Sequence, residues 1–500
     1  MIWSGGQRAA GKRQEKTLKC VLLNPPSPRG RNIYRGYAGD FGLAGTMADE
    51  ILLPIHLVYG ASAAKRQGCE YDVVDAQVLS YDSSQAVDVV KRGNPDVLIS
   101  WLALPSIRDD LALLDEIKRA VPSAVVVALG AVCNVMPEEV LLKSNVDLAV
   151  CGWYPHYSLI SHVIQVLQSS GPGRDSFDKI GGARYLRQGQ MVESPVSSCE
   201  ETLDELSLDV YRQVPMQKYL RGVPDIRGST IRCISIATST GCPYSCMYCP
   251  YPIGYGRKVT HKSIPRILDE LEFLKANFGV TGFSFRDQLF THNRQRVEDL
   301  CDEMVRRDLK VKWHVEARAD EVTDVLLGKM KRAGCFRIHY GVETGSPEML
   351  RKTGKPGLEI DTAKKAFQMT RDLGIATTAH MMLGLPGENQ ESLQSSFDLL
   401  CQINPDFASL NVTTPYPGTR LFRMADEKGW LSTRDWSRYT SFDAIMRTDD
   451  LTTAQLSEAR RVMRRRFRNF KLWHDPEYRK LYLKALPKAV LERLAALFKS

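Results

Sequence analysis

The sequence predicts an α/β protein in two parts, an open parallel sheet followed by a partial (β/α)6 barrel, with a basic helical region at the C-terminus. Three observations carry that expectation. Short apolar runs alternate with amphipathic helical stretches through the first 170 residues; the alternation resumes near residue 230 and makes six repeats; arginines then crowd around an apolar helical stripe after residue 454. Such alternation builds parallel sheets because each crossover helix returns the chain to begin the next strand in the same direction.

From the N-terminus, residues 1–17 carry Arg8, Lys12, Arg13 and Lys16 among Gly, Gln and Ala. They lack the apolar core of a signal peptide and read as a disordered tail. Residues 18–170 form the first domain. Its strands are expected at 20–23, 71–74, 97–100, 125–129 and 148–151, with helices near 50–67, 83–92, 107–120, 137–143 and 156–168. The loops at the carboxyl ends of an open α/β sheet form its ligand crevice. Those loops bring forward Asn24, Pro25, Ser100, Ser106, Gly130, Ala131 and Gly152. Periodicity does not say what fills the crevice. Residues 171–228, rich in Gly, Ser and Pro, read as a connector with a hairpin at 180–192.

Residues 229–424 form the second domain, with strands near 232–239, 282–286, 312–317, 337–343, 376–383 and 407–413. Helices are expected near 264–278, 293–307, 322–333, 361–373 and 390–402. In a βα barrel the chemistry sits at the carboxyl ends of the strands. Directly after the first of them comes Thr240-Gly-Cys-Pro-Tyr-Ser-Cys-Met-Tyr-Cys-Pro250, a CxxxCxxC triplet of Cys242, Cys246 and Cys249. Zinc favours paired cysteines with a fourth ligand at matching spacing, and no second pair follows. Three thiolates this close hold three irons of a four-iron cluster, whose full protein ligation takes four cysteines. One iron is left for a non-protein ligand, and an open metal position is a catalytic one.

The triplet, with Tyr248 just before its last cysteine, resembles the cluster loop of radical S-adenosylmethionine (SAM) enzymes. Gly282-Phe-Ser-Phe-Arg-Asp287-Gln-Leu-Phe290, Trp313-His-Val-Glu316-Ala-Arg318, Ala333-Gly-Cys, Tyr340-Gly-Val-Glu343-Thr-Gly-Ser346, Leu383-Gly-Leu-Pro-Gly-Glu388 and Pro415-Tyr-Pro-Gly-Thr419 resemble successive blocks of the cobalamin-associated branch of that superfamily. In the first domain, Asn24-Pro-Pro, the strand at 95–100, Ile117-Lys118 and Leu129-Gly-Ala resemble its Rossmann-like cobalamin-binding domain. Two departures stand out. Asp75 is followed by Ala-Gln-Val rather than the D-x-H-x-x-G segment that offers a histidine to cobalt, and Gly152-Trp-Tyr-Pro replaces Gly-Glu-x-Glu.

The resemblance implies a TIM-type partial barrel and three cofactors: one [4Fe-4S] cluster on Cys242, Cys246 and Cys249, SAM chelating its fourth iron, and cobalamin without a protein imidazole on cobalt. Tyr248, Asp287, Glu316, Arg318, Glu343, Pro386 and Gly387 are then SAM contacts. Asp287 is alternatively a strand-end cap, and Glu316 and Arg318, which alternate on one strand, an ordinary ion pair. The loop 250–256 shields the cluster; His314, His339 and His380 read as satisfied core histidines. The crevice residues Asn24, Pro25, Ser100, Ser106, Gly130, Ala131 and Gly152 become cobalamin contacts.

The implied reaction is methyl transfer. SAM cleavage yields a 5'-deoxyadenosyl radical, which takes hydrogen from an unactivated substrate carbon; methylcobalamin then supplies the methyl group, and a flavodoxin or ferredoxin the electron. Rival readings are an oxidative cyclase or ring-contraction enzyme on the same parts, a methylthiotransferase with a second cluster on Cys20, Cys69, Cys133 and Cys151, and a non-catalytic cobalamin-binding protein.

Composition bounds the rest. Twelve cysteines with only the triplet clustered read as reduced thiols of a cytoplasmic protein, and no apolar run is long enough to span a bilayer. The net charge of +9 is uneven: residues 454–500 hold 13 Lys or Arg against 4 Asp or Glu, leaving 54 against 54 before them. Leu456, Ala459, Met463, Phe467 and Phe470 form one apolar stripe in the region 425–500, and Val490, Leu491, Leu494, Leu497 and Phe498 a second. Such helices dock on their own protein or lie on the inner, anionic face of a membrane; docking is the favoured reading. Nucleic-acid binding ranks lower, since no aromatics are interleaved for base stacking. The expected partner is a small molecule, hydrophobic or anionic.

Overall fold

The computed structural model describes residues 17–28, 31–45, 52–171, 173–195, 202–220, 222–224, 230–355 and 357–485. The expected tail up to residue 16 and the second apolar stripe at 490–498 lie outside them.

The first sheet holds β1 (Lys19–Asn24), β2 (Glu70–Asp75), β3 (Val97–Trp101), β4 (Val125–Leu129), β5 (Leu148–Val150), β6 (Ala183–Arg187) and β7 (Gln190–Glu193) in the order β2-β1-β3-β4-β5-β6-β7. The first five run parallel. Alternate residues serve opposite faces. Cys20, Leu22, Ile99 and Val127 pack with α1 (Ile55–Arg66) and α4 (Tyr157–Ser170), whereas Val21, Leu23, Leu98 and Val126 pack with α2 (Ser83–Gly93) and α3 (Ile107–Ala120). Burial on both faces is why these strands read as unbroken apolar runs.

Two local expectations change. The helix expected at 137–143 is the single turn Pro137–Leu141, and a further turn, Ala131–Val135, precedes it where a loop was expected and stops before Pro137, which has no N–H to continue it. The hairpin assigned to the connector instead pairs antiparallel with β5 and extends the sheet. It covers an edge that β5 leaves open.

The second sheet runs β8 (Gly222–Pro224), β9 (Thr230–Ile236), β10 (Gly282–Phe285), β11 (Lys312–Ala317), β12 (Cys335–Glu343), β13 (Ala376–Leu383) and β14 (Phe407–Val412) in sequence order. β8 is antiparallel; the other six make the expected parallel half-barrel. Its outer residues, such as Trp313, Val315 and Ala317, join the core with α5 (Ile264–Phe278), α6 (Arg294–Arg306), α7 (Asp324–Arg332), α8 (Ile360–Asp372) and α9 (Gln390–Ile403). Its inner residues, including His314, Glu316, His339 and His380, are only part-buried and line an open lumen.

The basic helix α10 (Thr453–His474) buries Leu456, Met463 and Phe467 against this domain. Arg460 Nε donates to Leu410 O at 2.8 Å, satisfying a carbonyl on edge strand β14. The apolar stripe therefore faces the protein, and the favoured docking reading holds for the described half of the region. Among the described residues no helix is long and apolar enough to cross a membrane.

Candidate active site

The chain leaves β9 through a turn fastened by Asp287 at the end of β10. The Asp287 carboxylate accepts from Thr238 N (2.7 Å), Thr238 Oγ1 (2.5 Å) and Ser239 Oγ (2.7 Å). Asp287 thus organises the entry to the cluster loop. Gly241 follows with φ +94°, and a Cβ there would lie 2.0 Å from Lys258 O, so only glycine passes. Cys242 N donates to Gly256 O (3.0 Å), Met247 N to Thr353 O (3.0 Å) and Leu421 N to Met247 O (2.9 Å). The triplet is held from three directions.

Burial pushes all three thiols up, Cys242 to about 11; neighbouring thiolates add to it at Cys242 and Cys249, and Glu343 at Cys246. Arg318 works against this at Cys242 and Lys355 at Cys246. Among the described residues no three His, Cys, Asp or Glu side chains are arranged to grip one metal ion. The thiols are free of disulfides and desolvated, and they share one short loop. That donor set fits a cluster, which gives each sulfur its own iron, better than zinc, which draws four ligands to one point.

The expected SAM residues surround the loop. Glu343 ends β12 with φ +69°, in the left-handed region that costs a non-glycine residue about 1–3 kcal/mol. It is held there by Lys355, whose Nζ lies 2.8 Å from Glu343 Oε1 and 2.6 Å from Gly341 O, and by the Tyr248 hydroxyl. A Cβ on Gly341 would sit 2.6 Å from Glu343 Oε1, so the glycine makes room for that ion pair.

Glu316 and Arg318 do not pair with each other. Glu316 faces the lumen and accepts from Arg286 Nη1 at 3.2 Å. Arg318, beyond the strand, donates to both oxygens of Asp320 (3.0 and 2.6 Å) under the Tyr244 ring. Pro386 and Gly387 form the turn after β13; Gly387 has φ +84°, and a Cβ there would lie 3.0 Å from Lys352 Nζ. Next to them Glu388 is fully buried and accepts from the amides of Gly384 and Leu385. Burial raises its carboxyl to about 7.

In the first domain the segment 31–45 lies across the carboxyl ends of the sheet. Arg35, buried, donates to Pro25 O (3.0 Å), Asn24 Oδ1 (3.4 Å), Ser106 Oγ (3.2 Å) and Asp110. Leu104 N donates to Phe41 O (2.6 Å) and Ala131 N to Asp40 O (3.3 Å). Asn24 Nδ2 also donates to Asp75 Oδ1 (2.8 Å), which Tyr219 closes from the other side. Gly130 packs under Leu102 O, Gly152 bonds Asn134 both ways, and Ser100 Oγ is buried without a partner.

A small pocket lies between this surface and the barrel mouth. Asn24, Asp75 and Gln77 line it from the ends of β1 and β2, Ser235 and Arg286 from the barrel, and Tyr154 and Tyr255 from the seam. Of the seven expected crevice residues only Asn24 lines it; Pro25, Ser100, Ser106, Gly130, Ala131 and Gly152 do not. Arg35, Tyr37 and Arg286, which the sequence reading did not single out, are part of its wall. Arg286 stands 3.7 Å over the Tyr37 ring and inside a quoted motif block, at a position alternating with Ser284. That alternation was the signal available.

The loop 250–256 joins the domains. Gly254 O accepts from Tyr154 N (2.7 Å), Ile253 O from Asn134 Nδ2 (2.9 Å), and Gly36 O from the Tyr255 hydroxyl. A Cβ on Gly254 would meet Gly39 O at 2.0 Å. The first-domain cysteines form two separate couples, Cys20 with Cys69 and Cys133 with Cys151, which is not a second cluster site.

Comparison with known proteins agrees with this geometry. Residues 236–400 match the family model of the radical SAM superfamily. The chain is 25% identical over 449 residues to an uncharacterized methyltransferase of Pyrococcus horikoshii, covering 89% of this chain and 91% of the relative. It is 26% identical over 458 residues to the anaerobic magnesium-protoporphyrin IX monomethyl ester cyclase of Rubrivivax gelatinosus, covering 88% and 79%. The solved structure of OxsB, a cobalamin-dependent SAM radical enzyme with aqua-cobalamin and SAM bound, superposes with TM-score 0.71 at 18% identity, covering 97% of this chain and 71% of that one. With a CxxxCxxC loop at the first strand end of its half-barrel and an open sheet facing that end, the chain has the two-domain fold of that cobalamin-dependent SAM radical enzyme, and its residues 236–400 are similar to the radical SAM superfamily.

Proposed function

We propose that this protein is a cobalamin-dependent radical SAM methyltransferase acting on an unactivated carbon of a small molecule. The observation that carries the reading is the meeting of the carboxyl ends of both sheets at one pocket, lined by Asn24 and Asp75 from the first, Ser235 and Arg286 from the second, and Tyr255 from the loop after the cysteines. When bound, the cluster and SAM supply a carbon radical and the corrinoid a transferable methyl group. Cys242, Cys246 and Cys249 hold three irons; Asp287 sets the loop. Tyr248, Glu343 and Lys355 present a fixed, charged wall to SAM beside Cys246, and Pro386 and Gly387 admit the adenine side of SAM past a small-residue turn.

Asn24, Asp75, Gln77 and Tyr154 face the corrinoid from the first domain, and Pro25, Ser100, Ser106, Gly130, Ala131 and Gly152 support them. The buried Arg35 and the tyrosines of the seam exclude water from the chamber. No protein acid–base pair is needed, and the electron comes from a flavodoxin or ferredoxin.

A second reading is favoured by the cyclase relative at similar identity: radical oxidation without methyl transfer. Anaerobically reconstituted protein incubated with methyl-labelled SAM and dithionite decides between them. Label in a substrate carbon supports the methyltransferase; 5'-deoxyadenosine without transferred label supports the cyclase. Four irons per chain are expected, not eight.

A further inference from the structure

The sequence reading took His314, His339 and His380 as satisfied core histidines. They instead form a stair on three adjacent inner strands. Register places His314 opposite Arg337, Glu316 opposite His339, and Gly341 opposite His380, so each imidazole stands one step nearer the barrel mouth than the last. Ring centroids are 5.2 Å apart from His314 to His339 and 5.7 Å from His339 to His380. The Nε2 atoms of His339 and His380 are buried and have no hydrogen-bond partner.

An unpartnered polar atom in such a place costs about 1–3 kcal/mol, and three imidazoles on neighbouring strands are a poor way to fill a core. Burial lowers all three, His314 to about 3, so they stand neutral. The surrounding charge changes along the stair. Arg337 and Arg286 face His314 and His339, whereas Glu316 and Glu343 face His380, with Lys355 and Arg286 opposing them. Glu316 is engaged by Arg286 and Glu343 by Lys355. The top step, His380, is thus level with the residues placed around SAM.

We propose that the barrel lumen binds a small molecule bearing an oxyanion, a carboxylate or a phosphate ester, through Nε2 of His339 and His380, rather than a hydrocarbon scaffold. This rests on the reading of the barrel as the reaction chamber and names the substrate class. The neutral imidazoles donate to its oxygens, and Arg337 beside His314 and His339 favours negative charge at the lower steps. Donors left without a partner on β12 and β13 hold the substrate by hydrogen bonds that the protein itself does not fill.

The test is thermal unfolding of the reconstituted holoenzyme with three probes: citrate, inorganic phosphate, and squalene in mixed micelles. Wild type is expected to show a saturable rise in melting temperature with citrate or with phosphate, and whichever acts tells carboxylate from phosphate. The double variant H339L/H380L is expected to lose that rise while melting, without probe, at or above wild type, because two unpartnered nitrogens are gone. H339Q and H380Q, whose amide nitrogens stand near the place of Nε2, are expected to keep most of the rise. The proposal is overturned if neither oxyanion shifts wild type, if the double variant shifts equally, or if squalene alone stabilises. Absence of 5'-deoxyadenosine from wild type would instead sink the proposed function and leave the oxyanion result standing.

Discussion

At the residue scale, the proposed function makes the three cysteines one ligand set, in which each sulfur would take its own iron. Cys246→Ala is expected to lower bound iron below four per chain after anaerobic reconstitution and to abolish 5'-deoxyadenosine formation, read by iron assay and chromatography. Glu388 gives a pH signature. Its carboxyl is raised from 4.5 to about 7 by burial, so between those values the folded state binds more protons than the unfolded one, and stability falls as pH rises. Glu388→Gln keeps an amide-accepting oxygen and removes the charge. Relative to wild type it is expected to gain about 3 kcal/mol by about pH 8 and nothing below about pH 4.5, read by urea unfolding across that range. Cys242, Cys246 and Cys249 were legible because their spacing is itself a ligand pattern. Glu388 as a buried acid was not, because burial depends on what packs around it.

At the element scale, short polar segments hold the strand ends in place. The segment 31–45 is riveted by Arg35, whose ion pair with Asp110 is fully buried. Arg35→Ala leaves Asp110, Asn24 and Ser106 without their donor and is expected to cost about 3–5 kcal/mol in urea unfolding. Arg35→Ala with Asp110→Ala, which removes both charges, is expected to recover part of that loss. Strands and most helices were readable from periodicity, since one buried stripe or face recurs at the element's own repeat. The exceptions are contextual. Residues 183–193 join the sheet because β5 has an open edge, and 131–135 form a turn of helix where a loop was expected.

At the scale of the whole molecule, the function depends on two sheets meeting carboxyl end to carboxyl end. Gly254 is the contact that permits it. Gly254→Val places a branched side chain where Gly39 O already stands and is expected to open the seam. Faster proteolysis at the connector and loss of SAM cleavage, with the cluster's iron retained, would mark that outcome. The motifs by themselves determined the cluster, the barrel and the order of the strands, because these follow from side-chain identity and spacing along one chain. Only the tertiary structure decided that Asp287 fastens the loop, that Glu316 turns to Arg286 and Arg318 to Asp320, and that the Nε2 atoms of His339 and His380 are buried without a hydrogen-bond partner. Those outcomes depend on which polar groups from distant segments arrive at the same place, and local spacing carries no record of that.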